Sequence, residues 1–122
     1  MREGASLQEK DQRTPHVYLC WRGEERSRLA VGAYESIGVN AMYLRGGTNA
    51  LASMANDRIR NFIPEGASVT IIYEEGSIVQ EYEAMMKVVH KLRQLKIDYQ
   101  VKSIDLILAN LYSRGVRVSD YF

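Results

Sequence analysis

His16-Val17-Tyr18-Leu19-Cys20-Trp21-Arg22-Gly23-Glu24-Glu25-Arg26-Ser27 begins as a β-prone run and passes through a polar, glycine-containing loop into helical spacing. The segment His16 to Cys20 is short, apolar and rich in branched and aromatic residues, which is how a strand reads. From Ser27 to Ile37 the apolar residues Leu29, Ala30, Ala33, Tyr34 and Ile37 recur at helical intervals. Gly38 stands where a C-terminal cap belongs. A strand turning sharply into a helix is the building unit of an α/β fold.

The same alternation continues outward. Val39 to Leu44 reads as a second strand closed by Gly46-Gly47, and Thr48 to Phe62 as a helix with Leu51, Met54, Ala55, Ile59 and Phe62 on one side. Ser68-Val69-Thr70-Ile71-Ile72-Tyr73 is the clearest strand of the chain. Ser77 with Gln80 makes a capping-box pattern at the head of a long helix. A fourth strand is expected from Tyr99 to Ser103 or Ile104, and a last helix from about Asp105 to Ser113. Val116 to Phe122 receives no assignment. The order predicts an α/β three-layer α-β-α sandwich around a four-stranded, mostly parallel sheet. Residues 1–15 are polar and aperiodic and read as a flexible tail, leaving 16–122 as a single domain.

Composition narrows the function classes. The 122 residues carry 16 basic and 15 acidic side chains, a net charge of +1 that gives no field to gather nucleic acid or an anionic membrane. No apolar run approaches about 18 residues, and no apolar leader opens the sequence, so no membrane partner and a cytoplasmic location are expected. The single cysteine excludes an internal disulfide and a multi-thiolate zinc site. His16 and His90 lack a second ligand at metal spacing, so neither a metal nor another cofactor is expected.

The loop after the first strand has the makings of an anion trap. Backbone N–H groups of a tight loop and the N-terminus of the following helix both favour negative charge. Gly23 allows close backbone approach, and the planar fork of Arg26 can hold two oxyanion oxygens. That positive setting favours the thiolate of Cys20, its nucleophilic form, and Ser27 could hydrogen-bond it. The candidate phosphate cradle is therefore Trp21, Arg22, Gly23, Glu24, Glu25, Arg26 and Ser27. Glu24 and Glu25 are unusual in a loop meant for a dianion, and the reading turns them outward toward Arg22 and Arg28.

Cys20 to Ser27 resembles the Cys-x2-Gly-x2-Arg-Ser signature of protein tyrosine and dual-specificity phosphatases. With the motif after the first strand, the layout is most similar to the low-molecular-weight tyrosine phosphatases, whose sheet is also built by alternating strands and helices. The resemblance implies a hydrolase acting on phosphomonoesters, phosphotyrosine proteins among them, through a cysteinyl-phosphate. It also implies a general acid, for which Asp105, on the expected ligand edge, and Asp120, near the C-terminus as in the low-molecular-weight enzymes, are the candidates. Asp120 lacks the proline that usually follows that acid. Tyr43 to Leu51, with Arg45-Gly46-Gly47-Thr48, and the Glu25-Arg26 pair resemble rhodanese-like domains, which implies sulfur transfer as an alternative. An arsenate-reducing relative would need further cysteines, which are missing. A non-catalytic anion-binding or assembly module stays open as a third reading. Expected partners are thus a phosphorylated protein or small phosphomonoester, and phosphate or sulfate in the loop. Trp21 as a substrate wall, Gly46-Gly47 as a floor and the pair Glu74-Glu75 complete the residues gathered on this edge.

Overall fold

A computed structural model describes residues 14–21 and 25–121. Its strands are β1 (His16–Leu19), β2 (Ala41–Tyr43), β3 (Ser68–Tyr73) and β4 (Asp98–Ser103). Its α-helices are α1 (Glu25–Glu35), α2 (Gly47–Ala52), α3 (Asn56–Phe62), α4 (Val79–Gln94) and α5 (Ile104–Ser113), with a 3-10 turn at Val118–Tyr121. The four strands pair in parallel throughout, in the order β2-β1-β3-β4. The expected α/β sandwich is therefore present, and its sheet is wholly rather than mostly parallel.

Both faces of the sheet are covered, as a parallel sheet requires. Val17 and Leu19 of β1 and Val69 and Ile71 of β3 point to one side, where Leu51 of α2, Ile59 of α3 and Val88 and Leu92 of α4 bury them. Tyr18, Cys20 and Ile72 point to the other, against Leu29, Ala30 and Ala33 of α1 and Ile107 and Leu111 of α5. This alternation along each strand is the period of two that sorts side chains between faces. Pro15 O accepts from Ser68 N at 2.8 Å, continuing the contact between β1 and β3 one step before the strand. Residues 1–13 of the anticipated tail, and Phe122, lie outside the described residues.

Three local expectations need correction. The helix expected over Thr48 to Phe62 is two, α2 and α3, interrupted at Ser53 to Ala55. The carbonyls released there are taken by Lys91 of α4, whose Nζ donates to Ala52 O at 2.7 Å and also to Leu51 O and Met54 O. The Ser77–Gln80 capping box does not form. The Ser77 hydroxyl donates to Glu74 O inside the turn after β3, and α4 starts instead from Ile78 without a side-chain cap. Helix α5 starts at Ile104 and is capped by Ser103, whose Oγ accepts from Leu106 N at 3.2 Å, which places Asp105 in its first turn. Helix α1 also begins two residues before Ser27, at Glu25. The unassigned C-terminal stretch packs through Tyr121, whose ring would lie 3.1 Å from a Cβ placed on Gly32 of α1. Among the described residues, no helix is long and apolar enough to cross a membrane.

Candidate active site

Strand order places the site. The chain leaves β1 toward β2 on one side, then crosses to β3 on the other, so the topological switch lies between β1 and β3 at their carboxyl ends. Cys20 directly follows β1, and it is buried. Its Sγ lies 3.2 Å from Ser27 Oγ, a hydroxyl that is itself fully buried in the first turn of α1. A buried hydroxyl on the sulfur can donate to a thiolate, which is the partner a leaving or attacking sulfur needs.

The loop backbone is fixed from the side of α2. Thr48 N donates to Cys20 O at 3.0 Å, and Asn49 N donates to Trp21 O at 2.9 Å, with the Thr48 hydroxyl adding a longer contact to Trp21 O. In a trans peptide the carbonyl and the following N–H point in opposite directions. Turning Cys20 O toward α2 therefore turns the Trp21 N–H away from it. The tight entry into α2 depends on Gly46, which has φ +85°, and a Cβ there would lie 2.7 Å from Ala50 Cβ. Gly46-Gly47 thus shapes the helix that holds the loop.

Arg26 reaches across the carboxyl edge of the sheet. Its Nη1 donates to Glu81 Oε1 at 3.2 Å, joining α1, which follows β1, to the first turn of α4, which follows β3. Glu81 is the one buried charged residue among the described residues. The contact uses one edge of the guanidinium, and five N–H donors are available to Arg, so donors remain for an oxyanion.

Beside Arg26 opens a cavity of about 760 Å³ whose wall includes Glu25, Arg28 and Leu29 of α1, Glu74, Ile104 and Asp105, and Tyr121. The sequence-derived acids now separate. Asp105 shares this wall with Arg26, whereas Asp120 is exposed in the 3-10 turn and does not line it. Glu74 lines the cavity but Glu75 does not. Glu25 is exposed, in keeping with an outward carboxylate, and Trp21 is half-buried. Arg22, Gly23 and Glu24 lie outside the described residues. His16 starts β1, at the end opposite Cys20, and exposed His90 of α4 contacts Gln94 at 3.2 Å. No group of three or more metal-ligating side chains occurs among the described residues.

Two members of the site were not singled out in the sequence, Glu81 and Thr48. Glu81 has a signal that position alone supplies, since an acid in the first turn of the helix after β3 must stand on the same edge as Cys20. Compared with family models, with curated proteins and with solved structures, the chain finds no match, so its geometry alone carries the functional reading.

Proposed function

We propose that the chain is a cysteine-dependent phosphatase that hydrolyses phosphomonoesters, phosphotyrosine proteins among them, and that it is akin to the low-molecular-weight tyrosine phosphatases. The observation that carries this reading is the 3.2 Å approach of a buried Ser27 hydroxyl to the Cys20 sulfur, one helical position from Arg26. In the proposed reaction Cys20 thiolate attacks phosphorus, forming an S–P bond as the ester P–O bond breaks. Asp105 gives its proton to the departing oxygen and afterwards takes one from the water that attacks the cysteinyl-phosphate. That water releases inorganic phosphate and returns the thiolate, which Ser27 stabilises as it leaves. Arg26 holds two equatorial oxygens, and Glu81 keeps its fork from swinging away. The apolar side chains of Leu29, Ile104 and Tyr121 on the cavity wall suit an aryl leaving group. No metal or organic cofactor enters this scheme, and a reducing compartment such as the cytoplasm suits its free thiol.

A second reading has its own observation. The Tyr43 to Leu51 segment, similar to rhodanese-like domains, packs on the loop through the Thr48 and Asn49 amides. Sulfur transfer through a Cys20 persulfide is that alternative, and a non-catalytic anion-binding module is what remains if both chemistries fail. One comparison separates them: p-nitrophenyl phosphate hydrolysis and thiosulfate-to-cyanide sulfur transfer by wild type and Cys20→Ser. Hydrolysis lost in Cys20→Ser supports the phosphatase. Sulfur transfer without Cys20-dependent hydrolysis removes it.

A further inference from the structure

We propose that the outer edge of β4 joins a second copy of this chain, antiparallel and centred on Gln100, so that the two sheets run on as one. The two edges of the sheet are unequal. At one end β2 has 3 residues, too short to template much pairing, whereas at the other β4 has 6, with neither proline nor glycine among them. Among the described residues no strand pairs with the outer side of β4, so its outward backbone N–H and C=O groups are open to another chain.

The side chains choose the occupant. Charged residues on an edge ordinarily discourage pairing, and β4 carries two, Asp98 and Lys102, neither with an ion-pair partner among the described residues. They stand symmetrically about Gln100 on one face of the strand. A two-fold axis at Gln100 makes the contact isologous and sets Asp98 directly opposite the partner's Lys102, and Lys102 opposite the partner's Asp98. On the other face the same register sets Tyr99 against the partner's Val101, an aromatic against a β-branched side chain, and Val101 is 38% exposed. Any other antiparallel register parts both ion pairs, and parallel pairing in register sets like charge against like.

The helices add apolar flanks. Asn110 of α5 borders the same small cavity as Gln100 and Lys102, and Leu106, one turn earlier on that side of the helix, is 59% exposed. On the opposite face Arg93 of α4 donates to the Tyr99 hydroxyl at 2.6 Å, and exposed Met86 and Tyr82 continue that line of the helix. One strand pair with these flanks lies at the small end of specific interfaces, so the dimer is reversible, with a Kd of about 10–100 µM. Antiparallel joining sends the two Cys20 loops to opposite edges of the joined sheet, where the strand pairing covers neither.

Sedimentation velocity of the full chain from about 1 to 500 µM tests this. The expected result is a monomer–dimer equilibrium that Asp98→Lys or Lys102→Glu alone weakens at least about tenfold, since each sets like charges opposite one another at both ends of the paired strands. Mixing the two variants in equal amounts restores a dimer near wild-type affinity, because every cross-strand charge pair is again of opposite sign. Mixing does not rescue a misfolded variant, so that recovery separates pairing from structural damage. A wild type that stays monomeric to about 500 µM overturns the proposal. So does a dimer that neither charge reversal weakens, or a pair of variants that do not associate when mixed.

Discussion

Replacing Glu81 by Gln removes the charge that Arg26 meets while keeping size and one acceptor. At 3.2 Å, with an effective dielectric near 20, the gross attraction of the pair is about 5 kcal/mol. Desolvation cancels much of it, and the side chains keep 20% and 11% of their exposure, so the pair lies between a surface bridge and a buried one. A coupling energy of about 1–2 kcal/mol follows, larger than the ~0.2–1 kcal/mol of exposed pairs. The assay is a double-mutant cycle of Glu81→Gln and Arg26→Met by urea unfolding, with Glu81→Gln alone lowering the thermal midpoint by roughly 5 °C. Turnover adds a readout that a structural staple would not move. A misaimed Arg26 should lower kcat/KM for p-nitrophenyl phosphate about 10- to 100-fold. Coupling below about 0.3 kcal/mol, within the scatter of independent sites, together with unchanged turnover would refute the role given to Glu81.

Three further outcomes follow from the same geometry. Asp105→Asn should lower kcat by about 100-fold or more, the usual share of a general acid, while Asp120→Asn leaves it near wild type; steady-state kinetics that reverse this order would move the acid to the C-terminus. Gly46→Ala should cost about 1–3 kcal/mol, because a side chain there is strained at φ +85° and meets Ala50 Cβ at 2.7 Å; denaturant unfolding measures it. Lys91→Met should leave the Leu51, Ala52 and Met54 carbonyls without their cationic donor, at about 1–3 kcal/mol, with faster amide exchange over α2 and the 53–55 break.

The layered fold was legible because its strands announce themselves locally. Ser68–Tyr73 carries apolar and β-branched residues on both faces, as a strand buried between helices must, and its bounds are those expected. Cys20 and Arg26 were legible for a similar reason, since a strand, a loop and a helix in that order set their positions. What escaped depends on residues far apart in the chain. The break between α2 and α3 is held by Lys91, some forty positions away, and no helical period reports such a donor. Ser77 has the residue type of a cap, but its hydroxyl had a nearer acceptor at Glu74 O, and competition of this kind is decided by the turn that Gly76 permits at φ +81°. Glu81 reads as one more acid on an amphipathic helix until the sheet sets the first turns of α1 and α4 on one carboxyl edge.

The central claim is that Cys20 is a nucleophile, and trapping the covalent species tests it most directly. Wild type mixed with p-nitrophenyl phosphate, quenched in acid and digested, should yield a phosphate adduct on the peptide that contains Cys20. Ser27→Ala should raise the amount trapped by slowing departure of the thiolate, and Cys20→Ser should yield none. Turnover of the ester by wild type with no adduct on that peptide, or equal turnover by Cys20→Ser, would contradict the account.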